Sequence, residues 1–433
     1  MELSLEERVY GLSLIWKEAE YNFPFWKRLK GLDWDKAYRE ALPKVTAASD
    51  MREYYLELSR FISLLRDGHT DLQFPHEVIQ DAGQLPVVLR MIDGTWYVMN
   101  ADVSTGIPIY DELFSIQGMP AAEYVSANIY PYCWHEKPDS AAWQVNMLLP
   151  LIEYKRAIAL QTASGSYSVR ASEAPVQWQK MKKAEGKETL TELVSAETHR
   201  IRVTQDGIAV ISVPDFVHDT LGSEFYAGMS CIRDCRGYIV DVRGNCGGNS
   251  DNADCLAQAF LKGEFICSTE QKMVHIGTYK AWGKFTDLEQ LDRTKADLKK
   301  MYDICKRQYF EYNTEKKKVE ECPFTLEGPL VVLEDAGTVS AAEDFLLDLD
   351  VAGRATIVGT PSYGSTGQPL IFDLPGGGVG RICTHWCTYP DGKEFINVGV
   401  LPHVQASCSV EDWRNGYDRV LDTALAVLRE KIG

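Results

Sequence analysis

Apolar residues recur at helical spacing in the first part of the chain. From 5 to 16 and again from 54 to 65, an apolar side chain returns every three or four positions. Gly31 and Pro43 lie between these stretches and predict breaks there. The second stretch is followed by Gly68, and glycine commonly stands just after a helix end. The pattern predicts a helical layer that ends just before Gly68.

Shorter, strand-like runs follow this helical part. Residues 87–92 and 95–99 are rich in apolar residues and flank Asp93 and Gly94, a pair that suits a tight primed turn. Further along, a strand and turn lead into a helix that should begin at Ala121. The sequence therefore predicts a small β-rich module in the middle of the chain.

From about residue 200 the pattern alternates between strands and helices. The runs 207–213, 237–242 and 329–333 are almost continuously apolar, as expected for strands buried on both faces. Helical spacing returns at 252–261 and over a longer amphipathic stretch at 288–309. This alternation predicts an α/β layer with a largely parallel central sheet.

Length and charge limit the classes of function. At roughly 150 residues per domain, a chain of 433 residues predicts two to four domains. The formal net charge is −17, from 62 acidic and 45 basic residues, with no concentrated basic region. Nucleic acids and anionic membranes require such a basic face, so neither is expected as a partner.

Cysteine usage and the first residues bear on the compartment. The eleven cysteines are an odd number and are scattered singly, unlike the framework of a disulfide-stapled secreted protein. The first residues lack the basic and apolar regions of a signal peptide, and no window approaches the length of a membrane span. These features predict a reducing, cytoplasmic setting.

Ser340 is the first residue with candidate chemistry. It follows the apolar run 329–333 and a short turn, and it stands where a new helix should begin. A hydroxyl at that position lies beside unpaired backbone N–H groups, where the helix dipole favours developing negative charge. Residues 340–343 (Ser-Ala-Ala-Glu) also fit a capping box, which is the interpretation that the local sequence alone favours.

Two further features are weak individually. Residues 243–248 (Arg-Gly-Asn-Cys-Gly-Gly) follow a buried strand, and their glycines could direct backbone N–H groups at a ligand or simply make a flexible turn. His69 lies just after a helix end and is either a loop histidine near a site or a surface residue. Cys383, His385 and Cys387 alternate along a strand, but a zinc site needs a fourth ligand, so no metal is expected.

The order of these features resembles one family of serine peptidases. Residues 67–70 (Asp-Gly-His-Thr), 239–248 and 338–343, in that order, resemble the C-terminal-processing (tail-specific) proteases and the core of the tricorn protease. The segments 353–359, 363–367, 390–392 and 397–402 add to the likeness. The resemblance implies a crotonase-like catalytic core, and in this family the region between 76 and 200 often carries a PDZ-like module.

The resemblance also implies roles for individual residues. Ser340 matches the nucleophile, and the backbone N–H of Ala341 matches an oxyanion-hole donor. The second donor corresponds to Gly247, with Gly248 as the near alternative. The tail-specific branch uses a lysine as the base, in a position that Ser365 occupies in this chain. The chain therefore departs from the Ser-Lys pattern.

The tricorn-like branch explains that departure, because its base is a histidine from the N-terminal part of the chain. His69 has the matching context, and a neutral imidazole has the pKa that a serine nucleophile requires of its base. This branch orients the imidazole with a glutamate on a late strand. Glu394 is the only acidic residue between 393 and 400, although Ile396 lies nearer to the expected position.

The sequence thus predicts a serine peptidase without a cofactor that acts on peptides or unfolded proteins. Three domains are expected: a helical N-terminal domain at 1–75, a β-rich domain at 76–200 and an α/β catalytic core at 201–433. A non-catalytic protein of the same fold that binds peptides or hydrophobic ligands is the alternative. A middle module that gates access to the site is a third hypothesis. The sequence leaves open whether the chain is a monomer or a homo-oligomer.

Overall fold

The computed structural model describes residues 3–133, 142–285, 296–320 and 322–433. In chain order, its helices are α1 (Leu5–Asn22), α2 (Trp34–Ala47), α3 (Met51–Ile62), α4 (His76–Ala82), α5 (Ala121–Asn128), α6 (Val145–Ile152), α7 (Leu221–Gly228), α8 (Ser250–Gln258), α9 (Gly277–Gly283), α10 (Ala296–Cys305), α11 (Ala341–Val351), α12 (Val410–Asn415) and α13 (Arg419–Ile432).

The strands complete a mixed α/β architecture. In chain order they are β1 (Asp71–Gln73), β2 (Val87–Ile92), β3 (Thr95–Ala101), β4 (Asp111–Ile116), β5 (Met119–Pro120), β6 (Ile158–Thr162), β7 (Gly165–Val169), β8 (Thr191–Ser195), β9 (Arg200–Val203), β10 (Ile208–Ser212), β11 (Gly237–Asp241), β12 (Glu264–Met273), β13 (Phe310–Lys318), β14 (Leu330–Glu334), β15 (Ala355–Gly359), β16 (Pro369–Asp373), β17 (Val379–Cys383), β18 (His385–Thr388) and β19 (Val404–Gln405).

The N-terminal helices form where apolar spacing predicts them. Helix α1 begins after Ser4, whose side chain accepts a hydrogen bond from the Glu7 backbone, and it buries Leu12 and Ile15. The predicted break at Pro43 is wrong, because this proline lies inside α2. The helix continues past it because Val45, one half-turn further on, is fully buried in the core.

The middle region contains an antiparallel sheet in the order β2-β3-β4-β6-β7. The predicted hairpin between β2 and β3 is confirmed. Asp93 and Gly94 both have positive φ, of 50° and 78°, as a primed two-residue turn demands. The predicted helix start at Ala121 is also confirmed, since α5 begins there.

A seven-stranded sheet in the order β19-β15-β14-β11-β10-β9-β8 forms the centre of the molecule. The strands from β10 to β19 in this order pair in parallel, and β8 and β9 join antiparallel. Alternate side chains of each central strand point to opposite faces: Ile239 packs against α13, whereas Val240 belongs to the cluster that includes α8 and α11. Burial on both faces explains why these strands are continuously apolar.

The N-terminal region is tied to the core through a small antiparallel sheet, β1-β17-β16. In this sheet Leu72 is the partner of Gly380. Pairing with β17 brings the loop before β1, which carries His69, to the carboxyl end of the central strands.

The long helix predicted at 288–309 is only partly testable. Residues 288–295 lie outside the described residues, and α10 ends at Cys305. The predicted extension to 309 is wrong, because Arg307 has a left-handed backbone with φ of 56° that cannot continue a helix. Among the helices that the structure describes, none has both the length and the apolar character needed to cross a bilayer.

Candidate active site

Ser340 lies between β14 and α11 in a strained backbone conformation. Its φ is 58° and its ψ −122°, a region that non-glycine residues rarely occupy. The Ser340 N–H donates to the carbonyl oxygen of Ser365 at 3.1 Å and also lies 3.3 Å from Oε2 of Glu343. Strain of this kind persists only where the surroundings hold it, and such residues cluster at active sites.

The structure brings His69 to Ser340. Nε2 of the imidazole lies 3.2 Å from the Ser340 hydroxyl, although the two residues are 271 positions apart in the sequence. The other ring nitrogen, Nδ1, is hydrogen-bonded to the hydroxyl of Ser365. The histidine is buried, with 7% of its surface exposed, so it is not the surface residue of the alternative interpretation.

The glycine before the histidine is required by close packing. A Cβ atom at Gly68 would lie 2.6 Å from the ring of Tyr363 and 2.9 Å from the Ser365 hydroxyl. The loop that carries His69 therefore approaches the 362–365 loop as closely as a backbone without a side chain allows.

The glycine-rich turn 243–248 lies beside the nucleophile. A Cβ at Gly247 would meet Cβ of Ser340 at 2.8 Å and the backbone nitrogen of Ala341 at 3.0 Å. The N–H of Gly247 itself donates to Oδ1 of Asn245 at 2.9 Å. Gly248 lines the same cavity as Ser340. The three predicted oxyanion-hole residues are thus gathered around one hydroxyl.

Glu343 connects the nucleophile to the 362–365 loop. Its fully buried carboxylate accepts hydrogen bonds from the N–H of Gly364 at 2.7 Å, from the N–H of Ser365 at 2.8 Å and from the Ser362 hydroxyl. The sequence indicated Glu343 only as the second member of a capping box. The local sequence pattern did not predict the hydrogen bonds of Glu343 to residues some twenty positions later in the chain.

The structure does not bring Glu394 to His69. Oε2 of Glu394 forms an ion pair with Arg28 at 2.6 Å and accepts a hydrogen bond from the Trp386 indole at 2.9 Å. The predicted orienting role of Glu394 is corrected for this physical reason, since a side-chain hydroxyl, that of Ser365, occupies Nδ1 instead. The role of Ser365 in contacting the imidazole is the main feature that sequence reasoning missed.

Burial controls the charges of the two titratable groups on the His69 loop. It lowers the pKa of His69 to about 3, with smaller contributions from the charges of Arg381 and His385. It raises the pKa of Asp67 to about 6, against hydrogen bonds from the Thr70 hydroxyl and the His69 backbone N–H. The imidazole is therefore neutral at physiological pH.

A cavity of about 940 Å³ opens over Ser340 and His69. Its wall includes Asp344, which accepts hydrogen bonds from the Ser250 hydroxyl at 2.7 Å and the Thr366 hydroxyl at 3.1 Å. Lys317 also lines it and pairs with Asp254 at 2.6 Å. The cavity thus places a mostly polar wall beside the serine and the histidine.

The cysteine and histidine residues considered for zinc are divided between two strands. Cys383 lies on β17, and His385 and Cys387 lie on β18. Within the described ranges, no group of three or more histidine, cysteine, aspartate or glutamate side chains is arranged to hold a metal ion.

Parts of the chain match a peptidase family model and a curated protease. Residues 207–406 match the model of the family described as Peptidase family S41. The carboxy-terminal-processing protease of Bartonella bacilliformis is 27% identical over 187 residues, which make up 43% of this chain and 34% of that protein. The chain thus aligns with about a third of the length of this curated relative.

Solved structures extend the likeness to the whole chain at the level of fold. Mature CPAF matches with a TM-score of 0.74 and 16% identity over 99% of this chain and 98% of that one. Mature CPAF complexed with lactacystin matches with a TM-score of 0.73, also at 16% identity, over 99% of both chains. Residues 207–406 thus match the model of peptidase family S41, and the solved structures share the fold of the whole chain.

Proposed function

We propose that this protein hydrolyses peptide bonds with Ser340 as the nucleophile and His69 as the general base. The observation that carries the proposal is the 3.2 Å separation between His69 Nε2 and the Ser340 hydroxyl, at the start of a helix and inside a cavity. A binding protein without activity has no need to hold a neutral imidazole at hydrogen-bonding distance from a strained serine. The pairing also favours the Ser-His branch of the family over the Ser-Lys branch.

In the first half of the reaction, Nε2 of His69 takes the hydroxyl proton as Ser340 Oγ attacks the carbonyl carbon of the scissile bond. The carbonyl π electrons move to oxygen, which becomes a tetrahedral oxyanion. When the intermediate collapses, the C–N bond breaks and His69 returns the proton to the leaving amine. The acyl group remains on Oγ as an ester.

In the second half, His69 takes a proton from water, and the hydroxide oxygen attacks the ester carbonyl. The C–Oγ bond breaks, Ser340 recovers its proton from His69, and the acid product leaves. A positive imidazolium and a negative oxyanion form together in each half. Their mutual attraction in a buried site offsets the unfavourable burial of a charged histidine.

The helix start supplies one oxyanion donor and the glycine turn the other. Ala341 presents the first backbone N–H of α11, where the helix dipole favours negative charge. Because the Gly247 N–H already donates to Asn245, the N–H of Gly248 is the better placed second donor. Gly247 then serves to let the turn pack against Ser340.

The wider assignments stay predictions. They are the crotonase-like description of the core, the PDZ-like nature of residues 76–200, the three domain boundaries, the cytoplasmic location and the peptide or unfolded-protein substrate. A peptide substrate is consistent with the cavity over Ser340, whose polar wall can hydrogen-bond to a polypeptide backbone.

The test compares wild type and Ser340→Ala on a peptide library, together with labelling by a fluorophosphonate probe. We expect the variant to lose at least about 10³-fold in kcat/KM and to lose labelling, since little catalysis remains without the nucleophile. Ser230→Ala, which removes an exposed hydroxyl outside the cavity, is the matched control and should behave as wild type. A Ser340→Ala protein that cleaves and labels at the wild-type rate refutes the proposal. A folded wild type that binds peptides without cleaving any of them supports the binding alternative.

A further inference from the structure

The imidazole of His69 is held at both nitrogens by serine hydroxyls. Nε2 faces Ser340 at 3.2 Å, and Nδ1 is hydrogen-bonded to Ser365. A neutral imidazole has one N–H and one bare nitrogen, so the tautomer of the ring and the direction of the hydrogen bond at Nδ1 determine each other. Only the tautomer with its proton on Nδ1 can take a proton from Ser340.

Ser365 is itself fixed by the groups that hold the nucleophile. It is 1% exposed, its N–H donates to Glu343 at 2.8 Å, and its carbonyl oxygen accepts the Ser340 N–H at 3.1 Å. Glu343 also accepts the N–H of Gly364 at 2.7 Å. The hydroxyl at Nδ1 and the strained backbone of the nucleophile therefore belong to one hydrogen-bonded unit.

The charged and titratable groups around the histidine come from three elements. On its own loop, the Asp67 carboxylate accepts the backbone N–H of His69, not a ring N–H. Arg381 on β17 is paired with Asp71 at 2.6 Å, and His385 on β18 also bears on the ring. Among the described residues, the contacts of the two ring nitrogens are with Ser340 and Ser365, and no carboxylate of these residues faces Nδ1 as one usually does in a serine hydrolase.

We propose that Ser365 is the positioning residue of this site: its hydroxyl accepts the Nδ1–H of His69, selects the productive tautomer and does so without a negative charge. The inference rests on the proposed function and specifies its base. Glu343 acts on the site through hydrogen bonds from the backbone N–H groups of Ser365 and Ser340, which hold the geometry of the two residues. Burial already lowers the pKa of His69, and an uncharged partner at Nδ1 does not raise it again.

Two variants of Ser365 test the inference in opposite directions. Ser365→Ala removes the acceptor, and we expect kcat to fall up to about 10²-fold while KM changes less than about threefold, because the ring loses orientation and not substrate contacts. Ser365→Asp places a carboxylate at Nδ1, which favours the imidazolium. Its kcat/KM should show an acid limb near neutral pH that wild type lacks. Ser59→Ala is the matched control, since Ser59 is also buried and hydrogen-bonded, at 2.8 Å to the Tyr132 carbonyl oxygen, but lies outside the cavity.

A measurement without substrate keeps the test independent of activity. In protein labelled with ¹⁵N-histidine, where eight histidines give signals, His69 should show the neutral Nδ1–H tautomer from pH 8 to pH 5. In Ser365→Ala, His69 should instead show a mixture of the Nδ1–H and Nε2–H tautomers. The rates of wild type and of the Ser365 variants are referred to active sites counted with the fluorophosphonate, so that partial unfolding of a variant does not enter them.

The outcomes separate the two proposals. If Ser340→Ala is inactive while Ser365→Ala keeps the wild-type kcat, and Ser365→Asp keeps the wild-type pH profile, the positioning role is wrong and the peptidase assignment stands. If Ser340→Ala remains active, the peptidase mechanism fails first. If Ser365→Ala is too unstable to assay, the absence of an acid limb in Ser365→Asp, or a His69 in wild type that is not in the neutral Nδ1–H tautomer between pH 8 and pH 5, overturns the inference.

Discussion

The nucleophile and the base of the candidate site are held in contrasting ways. Ser340 belongs to a strand–turn–helix whose bonds are short-range or run between adjacent strand ends, such as the Thr338 hydroxyl to the Val242 carbonyl oxygen at 2.9 Å. His69 arrives from the N-terminal region and is placed by residues some three hundred positions away, including Ser365 and the β1–β17 pairing. The nucleophile therefore depends on local backbone geometry, whereas the base depends on the packing of two distant parts of the chain.

The largest effect should come from crowding the nucleophile side. In Gly247→Ala the new Cβ would meet the Val339 carbonyl oxygen at 2.7 Å and Cβ of Ser340 at 2.8 Å, which must displace the nucleophile. We expect kcat/KM to fall by at least about 10²-fold, as when an oxyanion donor is lost. Peptide cleavage and fluorophosphonate labelling rates measure this.

Gly244→Ala is the control for that variant. Gly244 also has a positive φ, of 71°, but a Cβ there has open space around it. Both variants impose similar backbone strain, of about 1–2 kcal/mol. If Gly244→Ala loses as much activity as Gly247→Ala, strain and not contact with Ser340 is responsible, and the description of the nucleophile side as locally built is wrong.

The next largest effect should be a loss of folding stability where the N-terminal helices, which place His69, pack against the rest of the chain. The buried hydroxyl of Tyr55 on α3 donates to the Pro375 carbonyl oxygen at 2.9 Å and accepts the Gly378 N–H at 2.8 Å, which ties the N-terminal helices to the turn before β17. Tyr55→Phe leaves both backbone groups without this partner. We expect the free energy of unfolding to fall by about 1–3 kcal/mol, measured by denaturant titration.

Tyr10 provides the comparison for Tyr55. It lies on α1 with 59% of its surface exposed, so Tyr10→Phe should change the free energy of unfolding by less than about 0.5 kcal/mol. The contrast predicts that Tyr55→Phe, on gentle heating, loses activity before the central sheet unfolds, as hydrogen exchange can show. If activity and the hydrogen-exchange protection of the central sheet are lost at the same temperature, the packing that places His69 is as stable as the region that holds Ser340.

The same contrast explains what the sequence could predict. The strand, turn and helix that carry Ser340 and Gly247 are predictable from local signals, whereas the roles of Ser340, Gly247 and His69 follow from the order of three motifs. Glu343 appeared only as a capping residue, and Ser365 only as the position of a missing lysine. Their bonds to each other and to His69 depend on how loops meet in space, which neither periodicity nor spacing encodes.

The predictions of the fold also succeed where the signal is local and fail where tertiary packing decides. Continuous apolar runs predict the central strands, because these strands are buried on both faces. The turn at 93–94 is predicted by its two residues alone. The break expected at Pro43 was wrong because tertiary burial of Val45 overrides the local preference of proline. Glu394 was assigned to the site because it was the only acidic residue near the expected position, and proximity in sequence did not place it near His69.

A smaller effect is expected in the pH dependence, where burial of the base should show. Because the pKa of His69 lies near 3, kcat/KM should change less than about twofold between pH 7.5 and 5. A histidine with the ordinary pKa of about 6.5 would be only ~3% neutral at pH 5 and would lose roughly 30-fold. An acid limb of that size, in protein shown by circular dichroism to be folded, would contradict a buried, neutral base.

The two titratable groups on the His69 loop, His69 and Asp67, should change the stability of the folded protein with pH in opposite directions. His69 has a folded pKa below its unfolded value, so its unfolded form takes up the proton first and the folded state loses stability as the pH falls from about 6.5 toward 3. Asp67 has a folded pKa of about 6, above its unfolded value, so its folded form takes up the proton first and gains stability as the pH falls from 6 toward 4. Asp67→Asn should therefore steepen the acid destabilisation below pH 6.

The smallest effect should come from Glu394, which links the two regions at the surface. Its carboxylate is 42% exposed and pairs with Arg28 from the N-terminal region and with Trp386 of β18. An exposed ion pair contributes at most about 1 kcal/mol, so Glu394→Gln should keep kcat/KM within about twofold of wild type. Glu411→Gln, which removes an exposed pair with Arg414 inside α12, is the matched control. A tenfold loss of kcat in Glu394→Gln, with unfolding unchanged, would return this glutamate to the catalytic group and would show that the base is oriented from the surface as well as by the buried loop.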